Sequence, residues 1–392
     1  MSLPLEGIWV LDISRYLQGT LATQVLAVFG AEVIKVEDRI GELGRYLPPL
    51  IEGESTRFYT VNRNKKSVTL DLKKEDGKKI FRALVSKADI VVDQFRPGVM
   101  DKMGIGYESL KKINERLIYC MITGYGLTGP MRDTAGHDLN YLNISGVTDL
   151  TGTKGGMPSL CGVQIADIAG GSLYAVIAML LAIMAREKTG KGQLCDIAMM
   201  DGALSLLSYT IGEWFGNNAL PVRGEELLTG GYATYNVYEC KDGRHVGLGA
   251  VENKFWADFC KKINREDLIK LQLIPEKQPD VEAEVRKIMK TKARDEWVEF
   301  FSDSDICFTP VLTLDEVSEH PQVLAREMIK KIVNFKGSGR DMVLTGVPVK
   351  LSDTPGEAVL KFAKTGENND EMLTLAGFSR KEIEDFRKNE VI

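Results

Sequence analysis

Residues 8–36 read IWVLDISRYLQGTLATQVLAVFGAEVIKV, and this stretch decides the fold class. Ile8-Trp9-Val10-Leu11 is a short apolar run, residues 22–29 carry a helical pattern, and residues 32–36 return to a strand pattern. Further along the chain, strand signals recur at 67–72, 90–93 and 117–123, with helical stretches such as 74–88 between them. This alternation predicts βαβ units around a mostly parallel sheet, an α/β fold. The run SLYAVIAMLLAIM at 172–184 is apolar all round and predicts a buried core helix. A strand at 193–198 and a helix at 201–216 follow.

The pattern then changes. Residues 217–231 are rich in glycine and polar side chains and suit an exposed connection. Strand-like segments at 233–240 and 245–248 flank Lys241-Asp242-Gly243-Arg244, whose Asp-Gly pair favours a hairpin turn. Helical segments at 252–263, 282–289 and 294–301 complete a smaller α+β unit. Short strands return from about residue 329, and Ser379-Arg380-Lys381-Glu382 opens a last helix as a capping box.

Bulk properties narrow the class. The 392 residues are 44% hydrophobic and 27% charged, as in soluble globular chains, and the length suggests two domains. A net charge of −5 argues against a nucleic-acid partner. Residues 3–11 are interrupted by Glu6 and follow no positive segment, so no secretory signal is expected. The run from Ser172 falls short of a membrane span and leads into Arg186-Glu187-Lys188, so no membrane partner is expected either. Six scattered cysteines without a CxxC pair predict reduced thiols in a cytoplasmic protein, with no zinc site.

Two motifs carry candidate chemistry. Ala135-Gly136-His137-Asp138-Leu139-Asn140-Tyr141 puts an imidazole among glycine and polar residues, as on a loop. Ala166-Asp167-Ile168-Ala169-Gly170-Gly171 puts a carboxylate at the start of the apolar helix, where it suits a cap and where developing negative charge is stabilised. Both groups suit proton transfer. Asp138 is expected to hydrogen-bond locally in a turn. His245, beside the hairpin, and His320, before Pro321, are expected to be structural. Gly124-Tyr125-Gly126-Leu127-Thr128-Gly129 matches GxGxxG, but Pro130 follows where a dinucleotide fingerprint opens a helix, so it predicts a turn in a pocket wall.

Several ordered segments resemble the family III CoA-transferase and α-methylacyl-CoA racemase superfamily nearly end to end. They are Leu5-Glu6-Gly7 through Asp12-Ile13-Ser14-Arg15, then 29–37 (FGAEVIKVE), 62–68 (NRNKKSV), Phe95-Arg96-Pro97-Gly98-Val99, and Leu117-Ile118-Tyr119 into Thr123-Gly124-Tyr125-Gly126. The resemblance implies a Rossmann-like large domain from 1–205 and 329–392, a linker at 206–225, and a small α+β domain at 226–328. It also implies an interlocked homodimer whose sites draw on both subunits.

The resemblance further implies the site. Transferases of the superfamily use an aspartate nucleophile, and Asp167 matches that position. Racemases add a histidine in Gly-His-Asp-Ile-Asn-Tyr, and Gly136 to Tyr141 here differ only by Leu139. They also carry a glutamate after a Val-Gly-Ala-Ile-Glu-like strand end, which Gly247-Leu248-Gly249-Ala250-Val251-Glu252 resembles. His137, Asp167 and Glu252 are therefore the expected catalytic set. Two groups would serve opposite faces of an enolate, Glu252 would orient His137, and N–H groups at the helix start would stabilise the enolate oxygen.

Implied CoA contacts are Leu70, Asp71, Leu72 and Lys73, then Gln94, Phe95 and Arg96, then Lys102, together with Gly136, Asp138 and Tyr141. Lys102 stands where the racemases have arginine, which turns a bidentate contact into a point charge. Asp38 stands where they have another arginine, and Arg39 follows. The expected reaction is epimerisation of 2-methylacyl-CoA thioesters by 1,1-proton transfer, with no metal and no cofactor beyond CoA in the substrate. The alternative is CoA transfer between carboxylic acids through an aspartyl-acyl anhydride. A CoA-ester binding protein without activity is the third reading.

Overall fold

The computed structural model describes residues 2–392; Met1, where the expectation about a secretory signal begins, lies outside them. The chain forms two compact units. One comprises residues 2–145, Val163–Leu206 and Pro321–Ile392, and the other Gly146–Gly162 and Leu207–His320.

The first unit is built on six parallel strands: β1 (Trp9–Asp12), β2 (Glu32–Glu37), β3 (Lys65–Thr69), β4 (Ile90–Asp93), β5 (Ile118–Thr123) and β6 (Leu194–Ala198). Their spatial order is 3-2-1-4-5-6, the order of doubly wound nucleotide-binding sheets. The centre strands β4 and β5 are buried at every residue, as a sheet covered on both faces requires. Helix α1 (Gln18–Val28) links β1 to β2, and α2 (Glu75–Val85) links β3 to β4. Ile80, Phe81 and Leu84 of α2 pack with Leu11, Val68 and Val91, joined by Met372, Leu373 and Phe386 near the chain's end. Asp71 N–H also donates to the Val391 carbonyl at 2.8 Å. Both ends of the chain thus complete one core.

The expected strand at 67–72 ends at Thr69, so Leu70 and Asp71 begin the loop beyond its carboxyl end. The run at 172–184 differs more. It lies within one continuous helical stretch, a π-helical turn over Ala166–Leu173 that continues as α4 (Tyr174–Thr189) after α3 (Asp138–Ser145). The stretch is not buried all round. Ala175, Met179, Ala182 and Arg186 are buried, while Leu173, Ile177, Leu181 and Met184 form an exposed apolar stripe. With 24 residues it is also long and apolar enough to cross a membrane by length and composition, so shortness does not argue against a span. Its inner face is tied to the first unit by Arg186, which pairs with Asp89 at 2.8 Å.

The second unit has a three-stranded antiparallel sheet of β7 (Tyr235–Glu239), β8 (His245–Gly249) and β9 (Phe308–Pro310) in the order 9-8-7. Its core packs Trp256, Phe259, Trp297 and Phe301. The capping box at Ser379 forms, with Ser379 Oγ accepting from the Glu382 N–H at 3.3 Å and Glu382 accepting from the Ser379 N–H at 2.9 Å.

Asp12 at the carboxyl end of β1, Lys35 within β2 and Lys65 at the start of β3 form a buried ionic cluster. Asp12 is fully buried between Lys65, at 3.0 Å, and Lys35, at 3.5 Å. Burial alone pushes the Asp12 carboxyl up, but the two ammonium groups outweigh it and hold it well below the usual carboxylate range. Removing Asp12 leaves Lys65 buried without its carboxylate partner, while Lys35 keeps Glu42 at 3.1 Å. Asp12→Ala is therefore expected to lower unfolding free energy by about 3–5 kcal/mol in urea titrations. A loss below about 1 kcal/mol would show that the cluster behaves as a solvent-screened surface pair.

Candidate active site

A doubly wound sheet offers a crevice where the strand order reverses, here between β1 and β4. A cavity of about 320 Å³ occupies this end of the sheet. Ile13, Ser14 and Arg15 after β1 line it, as do Leu70, Asp71, Leu72 and Lys73 after β3 and Phe95 after β4. The Arg15 guanidinium sits over the Phe95 ring at 4.9 Å. The Phe95 N–H donates to Asp93 Oδ1 at 2.7 Å, which shapes the turn through Gln94 and Arg96. Lys102 is exposed and is not among the lining residues, although Val99 and Met103 beside it are. Asp38 lines the cavity, while Arg39 pairs with Glu390 at 3.3 Å.

His137 is not on a free loop. It immediately precedes α3, where its carbonyl accepts from the Asn140 N–H at 2.8 Å and its own N–H donates to Asn140 Oδ1 at 3.0 Å. This fixes the backbone and leaves the imidazole exposed. Tyr141, one turn on, is buried and donates to the Gly136 carbonyl at 2.5 Å. Its ring takes the space that a Cβ would need at Gly124 or Gly136, 2.4 and 2.7 Å away. The expected turn at Gly124 to Gly129 is present, with no helix opening from it, and it closes around Tyr141.

Asp167 lies in the π-helical turn, 8% exposed. The turn packs backbone against backbone: a Cβ on Gly202 would come within 2.4 Å of the Gly170 Cα. Asp167 is not the capping residue: Ile165 holds that position, and Asp167 lies within the first turn. Asp138 does not close a local turn either. Its Oδ1 reaches across 29 residues to accept the Asp167 N–H at 3.0 Å. The Ile168 N–H is engaged by the Gln164 carbonyl at 2.9 Å. These two N–H groups are therefore occupied.

The electrostatics join these groups. Burial pushes the Asp167 carboxyl up to about 6, with the Asp138 carboxylate adding to the rise. The nearby Gln18 side chain and the charge of His137 oppose it. The imidazole therefore stands within electrostatic reach of Asp167. Burial likewise raises Tyr141 to about 12, with Asp167 and Asp138 contributing and Arg96 opposing. Among the described residues, Asp167 Oδ1 is buried with no hydrogen-bond partner, which adds to the cost of ionising this carboxyl.

Gln18 escaped the sequence reading. The signal available was its place just past β1 at the switch point, where ligand-facing residues collect. Its Oε1 accepts from Gln94 Nε2 at 2.6 Å, and its carbonyl accepts from Ser172 Oγ at 2.8 Å. Glu252 belongs to the second unit. It is exposed, three residues past β8, and its carbonyl accepts from the Phe255 N–H at 3.0 Å as the helix Asn253–Lys262 begins. Its side chain makes no capping hydrogen bond.

Comparison with known proteins follows from this geometry. The family model described as CoA-transferase family III matches residues 5–369. The α-methylacyl-CoA racemase of Homo sapiens is 33% identical, covering 99% of this chain and 97% of that protein. The succinyl-CoA:glutarate CoA-transferase of Homo sapiens is 34% identical, covering 84% of this chain and 76% of that protein. A crystal structure of a CAIB/BAIF family protein from Brucella suis superposes with a TM-score of 0.83 at 30% identity, covering 96% of this chain and 100% of that one.

The raised Asp167 value has a testable sign. A carboxyl that titrates near 6 when folded but at 3.8 otherwise binds its proton more tightly in the native state, so stability falls as pH rises through that interval. Asparagine removes this cost. Asp167→Asn is expected to be more stable than the parent by roughly 3 kcal/mol at pH 7.5 and no more stable at pH 3.5. An equal gain at both pH values in denaturant titrations would assign the effect to packing instead.

Proposed function

This chain belongs to CoA-transferase family III, and on that footing we propose that it epimerises 2-methylacyl-CoA thioesters through an enolate. The observation that carries this reading is a buried Asp167 whose carboxyl is raised to about 6, near working pH, with His137 close enough for its charge to act on it. A group poised there both gives and takes a proton efficiently. His137 serves one face of the α-carbon and Asp167 the other, so a proton removed from one side is replaced from the opposite side. The CoA portion lies in the cavity at the β1–β4 crevice, against Leu70 to Lys73 and Phe95, with Arg96 and Lys102 outside its lining. Side chains alone move the proton, and CoA enters as part of the substrate.

A second reading has its own observation. The Oδ1 of Asp167 is held by no hydrogen bond and suits a nucleophile that forms an acyl anhydride, and racemase and transferase relatives are both about a third identical to this chain. Incubation with a 2-methylacyl-CoA in deuterated water separates the two. We expect α-exchange with racemisation, and no Asp167 adduct on hydroxylamine or borohydride trapping. His137→Ala is expected to lose racemisation yet still exchange one enantiomer with retention, and Asp167→Ala the other. Exchange of the same enantiomer by both variants would refute the paired assignment, and a trapped adduct would move the enzyme to the transferase reading.

We further propose that the active form is a homodimer in which Glu252 of one copy orients His137 of the other. The exposed stripe Leu173, Ile177, Leu181 and Met184 supports self-association, since a contiguous apolar face on a soluble chain marks a contact surface. Co-expressing Asp167→Ala with Glu252→Ala chains should give heterodimers more active than either parent homodimer. Resolved heterodimers no more active than the parents would remove Glu252 from the shared site.

A further inference from the structure

The wall of the crevice cavity carries its charges in a set order. Strands β3, β2, β1 and β4 lie side by side, so the loops beyond their carboxyl ends meet the cavity in that sequence. Lys73 follows β3, Asp38 follows β2, Arg15 follows β1 and Phe95 follows β4, and all four line the cavity. One anion thus stands between two cations, with an aromatic ring at the end of the row. The Arg15 guanidinium, over that ring at 4.9 Å, faces the cavity from a fixed support.

The other carboxylates of this wall already have partners. Glu37 pairs with Arg45 at 2.6 Å, and Glu42 pairs with Lys35 at 3.1 Å. Asp71 Oδ1 accepts from the Lys73 N–H at 3.0 Å. Arg39, the cation next to Asp38 in sequence, is drawn away to Glu390 at 3.3 Å. Among the described residues, no hydrogen bond or ion pair engages the Asp38 carboxylate. Its backbone is nonetheless set. The Asp38 carbonyl accepts from the Gly41 N–H at 2.8 Å, closing a turn in which Gly41 takes φ +89°, a conformation open to glycine.

In doubly wound sheets an acidic side chain near the end of the second strand accepts from the ribose hydroxyls of a bound nucleotide, whereas a cation there accommodates a phosphate on that ribose. Asp38 stands at that place. CoA carries one phosphate monoester on its ribose, and 3′-dephospho-CoA lacks it. Such a group bears nearly two negative charges, and a carboxylate a few ångström away weakens its binding roughly tenfold even with water-like screening. The diphosphate that both molecules share has Arg15 and Lys73 to meet it. We propose that Asp38 is a specificity-determining residue of the crevice: it accepts from the ribose hydroxyls of the nucleotide and disfavours a phosphate there, so that 3′-dephospho-CoA and its thioesters bind at least as well as CoA and its own. This rests on the crevice taking the CoA portion of the substrate, whichever of the two reactions follows.

Two substitutions separate charge from hydrogen bonding. Asp38→Asn keeps an acceptor oxygen and removes the charge, whereas Asp38→Ala removes both. Asp38 is exposed, so neither change opens a cavity in the core. The probes are CoA and 3′-dephospho-CoA, each titrated calorimetrically into the full chain at one fixed ionic strength; no turnover is needed.

The parent is expected to bind 3′-dephospho-CoA as tightly as CoA or more tightly. Asp38→Asn should tighten CoA about tenfold by removing the repulsion, and should leave 3′-dephospho-CoA within about fivefold of the parent. Asp38→Ala should also tighten CoA, yet weaken 3′-dephospho-CoA about tenfold, the worth of a hydrogen bond to a charged acceptor. A parent that binds CoA the more tightly, or a ratio of the two dissociation constants that Asp38→Asn leaves unchanged, overturns the role of Asp38 while the crevice stands as a CoA site. If the parent binds neither molecule, the reading of the crevice fails and the role of Asp38 falls with it.

Discussion

The carboxylate of Asp12 is the point on which the working end of the molecule depends. It closes β1 and draws Lys35 from β2 and Lys65 from β3 into one buried cluster. Each charge there is costly alone, and each is tolerable because its partners are fixed by neighbouring parallel strands. The same carboxylate accepts the Ser14 N–H at 2.9 Å and the Thr23 hydroxyl at 2.7 Å, so it also sets how the chain leaves the strand and enters α1. Sheet register, the first crevice wall and the approach to Asp167 are settled by one buried anion.

Asp167 works by the opposite principle. Asp12 is surrounded by cations and held ionised, while Asp167 is buried near a second carboxylate with only a neutral amide and His137 to offset it. Two aspartates in one unit thereby take different protonation behaviour from their surroundings alone. That contrast separates a group that builds structure from one able to exchange a proton near neutrality.

Periodicity made most of the framework legible. Strand signals at 90–93 and 117–123 coincide with β4 and β5 to within a residue, because buried parallel strands leave an unbroken apolar run. The motif around His137 and the aspartate before the apolar run were also readable, and the structure places them within electrostatic reach of each other. Long-range geometry was not readable. The Asp138 hydrogen bond spans 29 residues, and no local pattern announces it. No local pattern marks Gln18, because its partners Gln94 and Ser172 are both distant in sequence. The helix over 166–189 was misread because composition reports how apolar a segment is, not which neighbour covers each face.

The contact between Gly170 and Gly202 has a consequence for how this enzyme can change over evolutionary time. With backbone against backbone at 2.4 Å from any added carbon, neither position has a smaller residue to mutate from or a larger one to mutate to. The depth at which Asp167 sits is thereby removed from the set of properties that gradual substitution can tune. Variation must instead enter through the loops beyond the strand ends, where side chains line the cavity without supporting that turn. A lineage could drift in what lines the cavity while the position of this carboxyl stays frozen.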